Sequence, residues 1–248
     1  MSKTTLALAC ALAFAAGGAA AHGIDAASGN AKAADFDIVR TNVAASDRYL
    51  AFDMQVSGKA GATHPAKSGK LAGSTVFSYV WPTRIDTAEV GFDAAQGTLA
   101  LAVTAHADFD DTPWIDENGD GNPDDDGDVW HSHWVVLVPD DACGKGMLKV
   151  KDIPEGAHPK LPATWPGLPI LLDSPGYTPL MDGRHVRVRV PFRDPQRMLG
   201  SAFDGVTAGL RVNANVQAPL LCVVGVKEVA SGDLSLPGRI AAAAAKGE

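Results

Sequence analysis

The chain has 248 residues, a formal net charge of −8 and three cysteines. That acidic balance argues against nucleic acid or an anionic membrane as partner and suits a protein that meets cations. No apolar run reaches the ~20 residues of a membrane-spanning helix, and the length accommodates one large β domain.

Taken in order, the chain begins with Lys3, an apolar run from Leu6 to Ala16, and small residues at Ala19 and Ala21. Residues 1–21 therefore read as a cleaved export signal, with Cys10 discarded inside it, and the protein as periplasmic or extracellular. Residues 22–35 are rich in Gly, Ala and Ser without a period and read as a flexible leader. From there the pattern is β. "FDIVRTNV" (36–43), "YLAFDMQVSG" (49–58), "STVFSYVW" (74–81) and "TLALAVTAH" (98–106) are short, β-branched or alternating runs. "VWHSHWVVLV" (129–138), "HVRVRVPF" (185–192), "VTAGLRVNANV" (206–216) and "LLCVVGVKEV" (220–229) continue the series, with Gly, Pro, Asn and Asp clusters between them.

Between 153 and 183 the density of proline predicts an irregular excursion, because proline removes a backbone donor and fits poorly inside a sheet. Residues 239–248 contain AAAAA and read as a loose helix or frayed end. The expectation is a single antiparallel β-sandwich over 36–238, with a jelly roll as one variant. Cys143 and Cys222 are the two cysteines left after processing, and in an oxidising compartment they pair.

The segment "DENGDGNPDDDGD" (116–128) carries the first chemistry. Asp116, Asn118 and Asp120 alternate, Gly121 allows a sharp turn, Asn122 offers a backbone carbonyl, and Asp124 follows. Hard cations such as Ca²⁺ take six to eight oxygens, which a wound loop supplies from every other residue. The stretch resembles the Asp-x-Asx-x-Asp-Gly calcium loop of EF-hands and secreted calcium-repeat proteins. It departs at the twelfth position, where Gly127 stands in place of the bidentate Glu. Asp126, Asp128 or a remote carboxylate must then complete the shell. With strands on either side in place of helices, the resemblance implies a structural Ca²⁺ rather than a sensor.

His131 and His133 follow at His-x-His spacing, which on a strand points both rings to one face. His106 ends the preceding strand, so a hairpin could bring three imidazoles together for zinc or copper, with an oxygen from Asp108, Asp110 or Asp111. The alternative is that the rings only make hydrogen bonds and orient the acidic loop. Processing after Ala21 would also expose His22 as an N-terminal residue. Its amine and ring resemble one half of the histidine brace of copper-dependent polysaccharide monooxygenases, with His64, His106, His131 or His133 as the internal partner.

No Gly-x-Ser-x-Gly elbow, phosphate loop, dinucleotide fingerprint or Cys-x-x-Cys motif occurs. Ser174, in a proline turn, reads as turn chemistry rather than a nucleophile. Trp81, Trp114, Trp130, Trp134 and Trp165 could line a groove or fill a core. Together these features predict an exported, calcium-stabilised binding protein that handles a transition metal or small ligand. The alternatives are a copper-dependent oxidase or monooxygenase using His22, and a carbohydrate-binding or surface interaction module.

Overall fold

In strand β3 (Tyr49–Val56), alternate residues Leu50, Phe52, Met54 and Val56 are buried, while the residues between them are half-buried. Strand β10 (His185–Pro191) repeats this with Val186, Val188 and Val190 inward and Arg187 and Arg189 outward. Such alternation marks strands covered on one face. By contrast, β5 (Thr98–Ala105) and β6 (His131–Pro139) are buried along almost their whole length, so both of their faces must be covered. The computed structural model, which describes residues 23–66, 73–107, 111–122, 126–213 and 220–244, shows what covers them.

The remaining strands are β1 (Ile24–Asp25), β2 (Ile38–Ala45), β4 (Thr75–Pro82), β7 (Leu148–Val150), β8 (Leu172–Asp173) and β9 (Leu180–Asp182). They are followed by β11 (Ala202–Phe203), β12 (Val206–Val212), β13 (Leu221–Val229), β14 (Gly238–Arg239) and β15 (Ala241–Ala242). One sheet runs β1-β2-β3-β10-β9, with β15 added in parallel on β2. The other runs β5-β4-β12-β13-β7-β6 and closes on itself through antiparallel β5–β6 pairing, forming a six-stranded barrel with β8 attached to β6. The antiparallel all-β architecture expected from the sequence holds, with one of its two layers rolled into a barrel.

Two cores result. The first lies between the open sheet and the barrel wall, where Phe52 meets Trp81 and Trp134 edge-on at 5.8 and 5.9 Å between centroids. The second is the barrel lumen, filled from Val76, Val80, Ala100, Ala102, Val135 and Leu210 among others. The barrel's narrowest seam is β7–β13, where Cys222 opposite Lys149 is the register pair among the described residues. The expected Cys143–Cys222 disulfide bridges this seam. Lys149 adds ion pairs to Asp140 (2.6 Å) and Asp152 (2.9 Å).

Three local expectations change. As far as Ala244 the tail forms no helix: β14 pairs with β11 and β15 pairs with β2, because backbone partners there outweigh the helical preference of alanine. The leader is tied down from Gly23 onward. Its strand β1 pairs with β2, and the buried Asp37 carboxylate accepts the backbone N–H groups of Gly29, Asn30 and Ala31. The proline-rich stretch is mostly irregular but contributes β8 and β9. The export signal (1–21), His22 and residues 245–248 lie outside the described residues. Among the described residues no helix is long and apolar enough to cross a membrane.

Candidate metal centre

The β5–β6 register answers the question of which way the histidines face. Ala102 lies opposite His133 and Thr104 opposite His131, so His131 and His133 share the lumen-facing side of β6 with Val135 and Leu137. His106 follows β5 on the same parity as Ala100 and Ala102, and its backbone N–H reaches the Gly127 carbonyl at 2.7 Å. All three rings therefore converge at one end of the barrel. Asp111, five residues after His106, enters from the loop as the fourth member, and all four residues are buried.

The ligand atoms of these four residues lie within 4.8 Å of one another. His106 Nε2 is 3.2 Å from Asp111 Oδ1 and 3.1 Å from His131 Nε2. His131 Nε2 is 3.3 Å from Asp111 Oδ1, and His133 Nε2 is 3.3 Å from Asp111 Oδ2. A tetrahedral site with bonds of about 2.0–2.1 Å separates its donors by roughly 3.3 Å, so His106 Nε2, His131 Nε2 and Asp111 Oδ1 have the spacing of one tetrahedral face, while His133 approaches the other carboxylate oxygen.

The ring tautomers follow from the surrounding hydrogen bonds. His131 Nδ1 donates to the Val129 carbonyl at 2.7 Å, so in the neutral ring Nε2 carries a lone pair aimed inward. Ser174 donates its hydroxyl proton to the Asp111 carbonyl at 2.5 Å. Its oxygen can then only accept from His133 Nδ1, 3.1 Å away, so His133 Nε2 is also unprotonated. Two imidazole lone pairs thus face carboxylate oxygens at 3.3 Å, and the His133 contact has no hydrogen-bond alignment. Acceptors turned toward one another in a buried site are stable only around a proton or a cation.

The electrostatics agree. Burial alone would raise the Asp111 carboxyl, but the three imidazoles overcome it and hold it well below the usual carboxylate range. Burial pushes His133 down to about 3, opposed by Asp111 and reinforced by His131 and His106. His131 moves the other way: burial lowers it, but Asp111 and the Val129 carbonyl together raise it. A buried carboxylate with three imidazoles around it is a donor set that could hold a metal ion, with the His131 proton displaced on binding.

The acidic loop is arranged differently. The Asp116 carboxylate accepts N–H groups from Gly119 (2.6 Å), Asp120 (3.2 Å) and Gly121 (2.7 Å). Asn118 Oδ1 accepts from Asp120 N at 2.8 Å and Asp120 Oδ1 from Asn122 N at 2.9 Å. Gly119 and Gly121, at φ 74° and 95°, permit this tight winding. Asp126 is buried and secures the loop by accepting from Glu117 N (2.8 Å) and the Asn118 amide. Asp128 lines the same cleft as Asp116, Glu117 and His131. Asp108, Asp110 and Asp124 lie outside the described residues. Among the described residues, the loop's carboxylates do not converge as the histidine group does.

Sequence reasoning left Asp111 as one of three candidates and missed Ser174 as the residue that orients His133. Glu117, also missed, lines a cleft of about 400 Å³ with Trp130, His131, Tyr177 and Met181. Burial raises its carboxyl against the Thr112 hydroxyl and His131. Trp81, Trp130 and Trp134 belong to the core, whereas Trp114 is 68% exposed. The chain matches no protein-family model, no curated protein and no solved structure.

Proposed function

We propose that this is an exported metal-binding protein whose functional centre is His106, Asp111, His131 and His133, with zinc or copper as the bound ion. The observation that carries this is the convergence of three buried imidazoles on the Asp111 carboxylate, with His131 and His133 turned toward it by Val129 and Ser174. Three imidazoles and a carboxylate, without thiolate, suit Zn²⁺ or Cu²⁺. Four protein donors fill a tetrahedral shell, the pattern of sites that hold a metal rather than turn over a substrate at it. Calcium in the acidic loop belongs to the same reading. The winding of 116–122 around Asp116 supports it, and the ion would stiffen the β5–β6 connection that carries Asp111. Export is supported by the disulfide, which oxidising compartments favour.

Elemental mass spectrometry of untagged protein, compared with a His131→Ala/His133→Ala double variant, tests this directly. The expected result is about one equivalent of zinc or copper in the parent, lost from the variant, with calcium retained in both. A variant that keeps all its transition metal would overturn the centre, and a parent that takes up no calcium would overturn the loop assignment.

A further inference from the structure

The interior of a six-stranded barrel is narrow, and close-packed side chains ordinarily fill it. Here Ala100, Ala102 and Ala208 point inward where larger residues would close the space. A cavity of about 130 Å³ remains at the end away from the histidines, and every residue lining it is aliphatic, Met, Gly or Pro. With no polar side chain on its wall, water is held weakly there, and apolar cavities near this size accept benzene or xenon.

Both ends of the space are distinctive. At its outer end stand half-buried Met147 and Leu234 and exposed Val226, an apolar rim at the surface. Methionine's flexible side chain suits such an entrance. At its inner end Ala102, Val135 and Leu210 also line a second space of about 30 Å³, whose far wall includes His106, Asp111 and His133. Ala102, Val135 and Leu210 thus stand between the apolar cavity and the smaller space under the polar centre.

We propose that the barrel lumen is a binding site for a small apolar molecule of about six to eight carbon atoms, entered past Met147, Val226 and Leu234 and ending against Ala102, Val135 and Leu210. Its size excludes a long acyl chain, and its lining excludes sugars and ions. This proposal does not depend on the metal reading, because the lining of the larger cavity includes no metal-centre residue.

Benzene is the probe, with the full folded protein tested both metal-free and zinc-loaded. Saturable binding is expected, with a rise in melting temperature and nuclear Overhauser contacts from benzene to the Val135 and Leu210 methyls. Ala208→Leu, which fills the lumen from β12, should weaken binding at least tenfold. The Overhauser contacts in the unaltered protein decide the matter even if that variant fails to fold. Contacts confined to Met147 and Val226 would mean adhesion at the rim and would overturn the proposal. So would xenon uptake without benzene binding, which would make the lumen a packing void. A protein that takes neither zinc nor copper yet shows the expected contacts would end the metal reading and leave the lumen site standing.

Discussion

Ser174 orients the candidate metal centre without belonging to its group of four. One hydroxyl accepts from His133 Nδ1 and donates to the Asp111 carbonyl, tying a strand ligand to a loop ligand. Ser174→Ala should lower zinc affinity about 10- to 100-fold in competition with a chromophoric chelator, since residues that orient metal ligands have effects of this size. The metal-free variant should also lose about 1–3 kcal/mol of stability by leaving buried polar atoms unpaired. Unchanged affinity would show that packing alone orients His133. At this scale the sequence was readable where a period existed. His131 and His133 had to share a face, whereas Asp111 could not be chosen over its loop neighbours because a loop has no repeating side-chain direction. Ser174, 41 positions from His133, left no local trace.

At the level of elements, Asp37 organises the segment before β2. Burial pushes its carboxyl up, but the Ser57 hydroxyl and the N–H groups of Gly29, Ala31 and Asn30 prevail and hold it below the ordinary value. A carboxylate depressed in this way stabilises the fold fully above its unfolded pKa of about 3.9, and that contribution is lost as pH falls through the lower folded value. Asp37→Asn should therefore cost about 1–3 kcal/mol in urea unfolding at pH 7, and the gap to the parent should narrow below pH ~4. A gap independent of pH would mean that the charge of Asp37 plays no part. The eight longer strands were all legible, because alternating or β-branched apolar runs of seven or more residues leave a pattern. Strands of two or three residues, such as β1, β8 and β15, are too short for any period to register. In the Ala-rich tail, intrinsic preference and the available partner pointed in opposite directions, and the edge of β2 prevailed.

Across the whole molecule, the barrel depends on pairings that no local pattern encodes. A sandwich and a closed barrel call for the same strands and differ only in whether β5 meets β6 while β7 meets β13. The disulfide closes the weaker of these two seams, so Cys143→Ser/Cys222→Ser should lose about 2–5 kcal/mol, read as a lower urea midpoint. An unchanged midpoint would show that the Lys149 ion pairs and the neighbouring hydrogen bonds hold the seam unaided. The same seam also has a consequence in time. Strand β13 is the last of the barrel's six in the chain, and it must find both β12 and β7. A nascent chain therefore carries two unpaired strand edges until residues near 229 become available, and such edges invite aggregation. The cysteine that locks the seam arrives on that same final strand, so oxidation cannot trap a barrel that is still one strand short.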